Sequence, residues 1–431
     1  MVLDSGTRVS VGRTQGSLHH RMTELYWSTP VSTILFHVAL GFWVFVNVLY
    51  TSFYALPIVS FIKPLRIVCL AMLLLKELLG SRVTHRAFMG IILIGIVMYI
   101  EWRIGQSLMI DTLAFVICSR DQDVRKAIRT GAVCIALAFT LIVVSAYMGL
   151  IRNAMIVSSG RVRYCLGFRY ALYPSAYLFT LTCSFLYLGG SETRLWHYIL
   201  LLVINGICYR LTNSRLSFAM SILVIMLCLA SRRFNGRVFA GRVFGALLTL
   251  AFPAMTLISL FVVSHYAAGD QWAIDLSIKL PGRIEFAWQA INNYGISLLG
   301  TNLKADMVGA GLNIYGVVNT GNYFYVDNLY IRMLVEGGVL VLAAYVIAMS
   351  MVCRNVWLNG DVVLGIVLLC MALHGLMDNL LMNLYYNPFL LLINTLLTSG
   401  TMMRHAHNAT ENDYKQLESR RLKASHAKWV Y

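Results

Sequence analysis

The sequence predicts an all-α polytopic membrane protein of about twelve transmembrane helices, with one large external loop between the ninth and the tenth. Three observations carry this. Of 431 residues, 58% are hydrophobic and only 13% charged, where soluble domains carry about 25% charge. The mean hydropathy is +0.70. Apolar runs of about 20 residues, the length that crosses a bilayer, recur along the chain. So few charges cannot clothe a water-soluble globule, which excludes a cytosolic enzyme, a nucleic-acid binder and a disordered chain. Seven prolines and 32 glycines exclude a collagen-like chain. The net charge of +16 fits basic residues gathered in cytoplasmic loops.

The predicted spans cover about 31–53, 57–79, 87–103, 104–119, 130–151, 170–189, 195–211, 215–231, 240–265, 328–352, 361–381 and 384–401. Asp111 interrupts the fourth, and Lys63 and Arg66 push the start of the second toward Ile67. With the N-terminus in the cytoplasm, the dense basic clusters Arg120–Arg129, Arg232–Arg242 and Arg404–Lys428 fall inside, as lysines and arginines do in short loops. An even number of spans returns the basic tail to the same side. The chain then divides into a cytoplasmic segment 1–30, spans one to nine over 31–265, the external loop 266–327, spans ten to twelve over 328–401, and a basic cytoplasmic tail 402–431. Residues 1–30 are too polar and long for a signal peptide's basic start, so the first span is expected to be an uncleaved anchor. The nine cysteines show no CxxC and no metal-ligand spacing, and most sit in apolar runs, where cysteine acts as a small core hydrophobe. The sequence holds no Walker loop, and neither metal nor cofactor is expected.

Charges in or near a bilayer are costly and functionally suspect. The external segment 152–169 keeps Arg152, Arg161, Arg163 and Arg169 against the inside rule, which points to an anionic partner. Arg210 and Arg215 flank the turn between spans seven and eight. They are either snorkelling arginines beside a polar turn or a pair gripping phosphate. In the large loop, Ile284, Ala287, Trp288 and Ile291 follow helical spacing and Gly295 can stop the helix. This predicts an amphipathic helix at the membrane surface with Arg283 in its first turn, where a cation opposes the helix dipole. Asn328, Arg332 and Glu336 are spaced i, i+4, i+8 and predict one helix face. Arg332 and Glu336 form an intrahelical ion pair or touch substrate. Asp327, one residue outside that stripe, is an accessible carboxylate suited to take a proton or orient a sugar hydroxyl. His374 and Asp378 share a face of span eleven, either in an interhelical hydrogen-bond network or as a pair poised for proton transfer. Asn383 and Asn387 follow.

These pieces together resemble the Wzy-type polysaccharide polymerases of the O-antigen polymerase and ligase family. Arg163-Tyr164-Cys165-Leu166-Gly167-Phe168 resembles the family's Arg-x-x-x-Gly-Phe segment, although the following Tyr173-Pro174-Ser175 replaces the usual Asn-Pro-Asn. Thr212-Asn213-Ser214-Arg215 resembles the Ser-Arg turn before span eight. Leu280-Pro281-Gly282-Arg283 with Trp288, then Leu299-Gly300, resembles the Gly-Arg helix and Leu-Gly turn of the large loop. Asp327-Asn328-Leu329-Tyr330 with Leu334 and Gly337 resembles the start of span ten, and Asn387-Pro388-Phe389 the last span. The likeness covers roughly residues 30–400, with a GT-C-like architecture.

The resemblance implies an enzyme that takes oligosaccharide repeat units linked to undecaprenyl pyrophosphate at the outer face of a bacterial cytoplasmic membrane. It joins them into capsule, exopolysaccharide or O-antigen and releases undecaprenyl pyrophosphate. Arg215 and Arg283 would then stabilise the leaving pyrophosphate, with Asp327, or second His374, as base. Arg161, Arg163, Arg210, Asn328, Arg332, Glu336 and Asp378 would help bind substrate. Related ligases carry a histidine where Asp327 stands, which favours polymerase. Implied partners are the lipid-linked oligosaccharide, membrane lipid, and a flippase and chain-length regulator, with no nucleic acid. The competing readings are a ligase and a flippase. A flippase would be expected to show related halves, and 30–210 and 215–400 show none.

Overall fold

The computed structural model describes residues 30–80, 85–104, 109–158, 161–234, 239, 241–280, 282–318 and 321–397. The two predicted terminal segments, the Arg404–Lys428 cluster and Pro281 lie outside the described residues. The chain folds into α1 (Pro30–Tyr50), α2 (Ile62–Gly80), α3 (His85–Ile104), α4 (Ile110–Cys118), α5 (Val124–Tyr147), a hairpin of β1 (Met155–Ser158) and β2 (Arg161–Tyr164), α6 (Leu172–Gly189), α7 (Leu195–Thr212) and α8 (Arg215–Arg233). There follow α9 (Arg242–Thr249), α10 (Ala251–Ala267), α11 (Gln271–Lys279), α12 (Arg283–Tyr294), α13 (Leu329–Arg332), α14 (Gly338–Leu358) and α15 (Val362–His374).

Among the described residues, five helical segments are long and apolar enough to cross a membrane: Val31–Tyr50, Val124–Tyr147, Leu195–Thr212, Arg215–Arg233 and Leu329–Leu358. A sixth forms if α9 and α10, bent by 55°, make one span. Large apolar side chains stand exposed along their flanks, among them Ile34, Val38 and Phe42 on α1 and Ile199, Val203 and Ile207 on α7. Such patches are untenable in water and ordinary against lipid. The chain is a membrane-embedded helical protein.

The helices pack as linked groups, α9, α10 and α12 with α14 and α15 among them. α1 lies against α2 and α5, while α6, α7, α8 and α15 pack as neighbours, with α5 against α6 linking the groups. Polar side chains inside are tied across helices: Asn205 of α7 donates to Thr182 of α6 at 3.0 Å. The charges that interrupted the early spans pair with each other. Arg66 Nε meets Asp111 at 2.6 Å, and buried Lys76 donates to the Cys118 carbonyl at 2.7 Å and to Asp121. All nine cysteines are free; Cys134 is half-buried and the others buried.

Several predicted spans differ in form. The fourth is a nine-residue helix, about 14 Å long, less than half a hydrocarbon core of about 30 Å. The twelfth, in its described part, is a 3-10 run over Pro388–Leu396. Asn387 accepts from Phe389 N at 3.2 Å and Pro388 has no N–H to give, so the chain starts tightly wound there. The eleventh stops as an α-helix at His374. The basic segment 152–169 forms the antiparallel hairpin, paired Met155 with Tyr164 and Val157 with Val162, an element the all-α expectation lacked.

The tenth span breaks as well. Helix α13 runs into a π-helical stretch, Met333–Gly337, before α14. A π turn frees backbone groups, and in an apolar interior they need partners. The loop supplies them: Thr301 N donates to the Val335 carbonyl at 2.9 Å, and Val339 N to the Ser297 carbonyl at 3.0 Å. This seam admits no side chains. A Cβ on Gly300 (φ +76°) would lie 1.9 Å from the Glu336 carbonyl oxygen, and one on Gly338 (φ +78°) 2.4 Å from that of Leu298. Gly300→Ala is therefore expected to destabilise the fold by about 2 kcal/mol or more, combining positive-φ strain with the clash. A thermal unfolding scan in detergent checks this; unchanged stability would contradict the seam.

Candidate functional site

The region between α10 and α13 builds the site. Gly282, at φ +77°, turns the chain into α12. That helix buries Ile284, Ala287 and Ala290 and packs on α10. Its apolar side is thus covered by protein, with Val263, Leu303, Val326, Ile331 and Val335 completing a small core; the predicted surface helix is a docked one. Docking sets Arg283 at the head of α12, where its Nε lies 3.4 Å from Asp327 Oδ2. The arginine side chain is 27% exposed and the carboxylate 19%. Burial pushes the Asp327 carboxyl above the usual carboxylate range, opposed by the charges of Arg283 and Arg332.

Asn328 caps α13. Its Oδ1 accepts from Tyr330 N and Ile331 N, both at 3.0 Å, and its Nδ2 donates to Ser259 Oγ of α10 at 2.9 Å. It is consumed as a structural cap, one turn before Arg332, whose N donates to the Asn328 carbonyl at 2.9 Å. Behind it, buried Arg332 donates to Glu336 Oε2 at 3.0 Å and to the Tyr325 hydroxyl at 3.1 Å. The Asn379 amide adjoins the same phenol at 3.4 Å and sits beside Arg332, to which its oxygen would be the acceptor with the amide turned over. Of the two readings of Arg332 and Glu336, the geometry takes the ion pair.

His374 ends α15, and Asp378 follows after a turn, capping the 3-10 turn Asn379–Met382 through Leu380 N at 2.9 Å. The two meet with His374 Nε2 3.5 Å from Asp378 Oδ2, across a helix end instead of along one face. The unwinding is satisfied by α13: Leu329 N donates to the Gly375 carbonyl at 2.9 Å, and the Tyr330 hydroxyl to that of Ala372 at 2.7 Å. Both residues are buried, 1% and 2% exposed, and the imidazole packs edge-on against Phe179, centroids 4.6 Å apart. Arg283 reaches back toward this pair, its Nη1 lying 3.9 Å from Met377 Sδ.

The hairpin closes another side. Arg163 donates through Nε to the Thr212 carbonyl at 2.9 Å and through Nη2 to Ser214 Oγ at 3.1 Å, and lies over the Tyr170 ring at 5.6 Å. It thereby clamps the turn that precedes Arg215. Asn213 makes that turn in the left-handed region, φ +49°. Tyr170 and Tyr323 both lie within the electrostatic reach of Asp327 and Arg283. Gly167 explains part of the Arg-x-x-x-Gly-Phe pattern. At φ +85° a Cβ there would lie 2.9 Å from the Ile142 carbonyl oxygen, and the Gly167 carbonyl accepts from Phe53 N.

One cluster therefore joins Arg163, Arg283, Asp327, Arg332, Glu336, His374 and Asp378. Arg215 is exposed at the head of α8, one residue beyond a partner of Arg163, and no acidic group pairs with it among the described residues. Arg210, exposed on the last turn of α7, and Arg161, on the inward face of β2, have no contact with the cluster among the described residues. The sequence reading passed over Tyr170, Tyr323, Tyr325 and Asn379. The aromatic run Tyr323-Phe324-Tyr325, two residues before Asp327, was the available signal. Among the described residues no three His, Cys, Asp or Glu side chains gather as a metal site would require. No protein-family model, curated protein or solved structure matches the chain.

Arg332→Met should strand Glu336 as a buried, unpaired charge at a cost of about 3–5 kcal/mol, while Arg332→Met combined with Glu336→Leu should regain most of the loss. Thermal stability of the three proteins in one detergent measures the coupling. Equal destabilisation by the single and double changes would show that the pair is not the reason.

Proposed function

We propose that the chain is a membrane glycosyltransferase that polymerises oligosaccharide repeat units carried on a polyprenyl pyrophosphate. In this reading it crosses the bacterial cytoplasmic membrane about twelve times, with both termini in the cytoplasm and the 266–327 loop outside. The observation that carries the proposal is the pairing of Arg283 with Asp327 at the rim of a cluster rich in arginine. Such a site offers fixed positive charge to a leaving diphosphate and a carboxylate to an incoming hydroxyl.

The chemistry follows from the residues. An acceptor sugar hydroxyl attacks the anomeric carbon of the donor, and the carbon–oxygen bond to the pyrophosphate breaks. Negative charge gathers on the departing oxygen, and guanidinium groups already in place stabilise it more in the transition state than in the ground state. Arg283 and Arg215 are assigned this role; neither is consumed by a full structural network as Arg163 and Arg332 are. The attacking hydroxyl gives its proton to Asp327. With Arg283 occupied by pyrophosphate, Asp327 loses part of the charge that favours its ionised form, so its affinity for that proton rises. His374 and Asp378, buried behind Arg283, are assigned to positioning. Arg332 with Glu336 holds the start of α13 in place.

Arg283→Ala and Arg215→Ala should abolish long polymer with lipid-linked single repeats accumulating and protein levels near normal. Lysine should rescue poorly, since it lacks the planar fork. Gel profiles of extracted polysaccharide test this, and wild-type chain lengths in both variants would remove these residues from the site. Asp327→Asn should slow transfer by roughly 100-fold or more. The rate should also rise with pH through a midpoint above the usual carboxylate range, because burial raises the Asp327 carboxyl. Arg283→Lys should keep that midpoint near its place, whereas Arg283→Ala, losing the opposing charge, should move it higher in whatever rate remains. A rate independent of pH from 4 to 8 (roughly the range over which a raised carboxyl titrates) would rule out Asp327 as the base.

A further inference from the structure

The β1–β2 hairpin turns the wrong way for a water-exposed element. Its register places Met155 opposite Tyr164 and Val157 opposite Val162, and these four side chains are 54%, 41%, 64% and 47% exposed. The opposite side, with Ile156, Arg161 and Arg163, is half-buried. Arg161 and Arg163 alternate with the outward residues, and Arg163 is bonded to the turn before α8. In water this alternation would be inverted, apolar in and polar out.

The surroundings say what covers that face. Helix α5 carries an exposed apolar stripe at Val133, Leu137, Leu141 and Val144, which runs on through Tyr147 and Met148 to the hairpin. The rise from Arg129, the last charged residue of α5, to Tyr147 is about 27 Å, close to the thickness of a hydrocarbon core. The end of α5 thus marks the boundary of the apolar layer, and the hairpin begins a few residues beyond it. Two strands alone leave edge groups unpaired, which hydrocarbon would not tolerate but a hydrated headgroup layer does. Tyrosine is also at home there, its ring in the apolar zone and its hydroxyl in the wet one.

We propose that the outward face of the hairpin, Met155, Val157, Val162 and Tyr164, is seated in the interfacial layer of the lipid bilayer at the end of α5. The hairpin is then a membrane-surface anchor. Through Arg163 it fixes the height, relative to the headgroups, of the turn that leads to Arg215. This does not depend on glycosyl transfer and stands or falls by itself.

The test is a depth measurement on the full chain in nanodiscs of phosphatidylethanolamine and phosphatidylglycerol. A nitroxide is attached at Val157→Cys, Val162→Cys and Arg161→Cys in turn, with the signal of the labelled parent protein subtracted. At 157 and 162, relaxation by oxygen should exceed that by a water-soluble nickel chelate severalfold, and at 161 the order should reverse. Nickel relaxation dominating at all three positions would place the face in water and overturn the proposal. Dipolar broadening between labels at 157 that vanishes on dilution with unlabelled protein would show a second copy covering the face, and would overturn it equally. The three labels lie on an exposed element, and an unchanged gel-filtration profile verifies that each variant is folded.

Discussion

The backbone seam between Ser297–Thr301 and the start of span ten is the contact on which the rest of the site depends. A helix crossing a membrane must satisfy its peptide groups within itself, and this one does not: it passes through a π turn at Met333–Gly337. The loop repairs the break with its own amides and carbonyls, at a separation that only glycine at 300 and 338 permits. Because the loop is held there, Leu303 and α12 join the core with Ile331 and Val335. Because α12 is held, Arg283 stands beside Asp327. Irregular backbone at membrane depth is tolerated where protein covers it, and here the covering segment is also the one that brings the arginine.

The same rule repeats around the cluster. Helix α15 ends at His374, and its freed carbonyls take hydrogen bonds from Leu329 and Tyr330. Asn328, Asp378 and Asn387 each turn a side chain back onto following amides. Broken helices thus meet at one level, each break satisfied by a neighbour, and the polar side chains gather there for the same reason. The buried Arg332–Glu336 pair belongs to this framework. Its desolvation is offset by a close ion pair, the Tyr325 hydroxyl and the aromatic face beneath the guanidinium.

Much of this was legible in the residues. Length and apolarity marked α1, α5, α7, α8 and α14 directly, because a bilayer imposes a long, uniform signal. Residues Ile284, Ala287, Trp288 and Ile291 foretold α12, although not that α10 would cover them, since periodicity shows that a face is apolar and not what meets it. The spacing of Arg332 and Glu336 foretold their ion pair, because four residues make one turn. The same spacing did not show that Asn328 would serve as a cap, nor that the helix would end between His374 and Asp378, which still meet. Breaks of this kind depend on distant partners such as Gly300, and a local window cannot see them. The hairpin was hidden because its alternation is inverted, and Tyr170 and Asn379 gave no signal until the chain was folded around Arg163 and Arg332.

The cysteines close the account. Eight of the nine lie buried and none is paired, while Cys134 is partly covered. A thiol becomes nucleophilic as the thiolate, which apolar surroundings disfavour. Eight of the thiols therefore serve as packing material, shielded from oxidants and alkylating reagents, and Cys134 is the one native thiol that a probe placed on the surface must be told apart from.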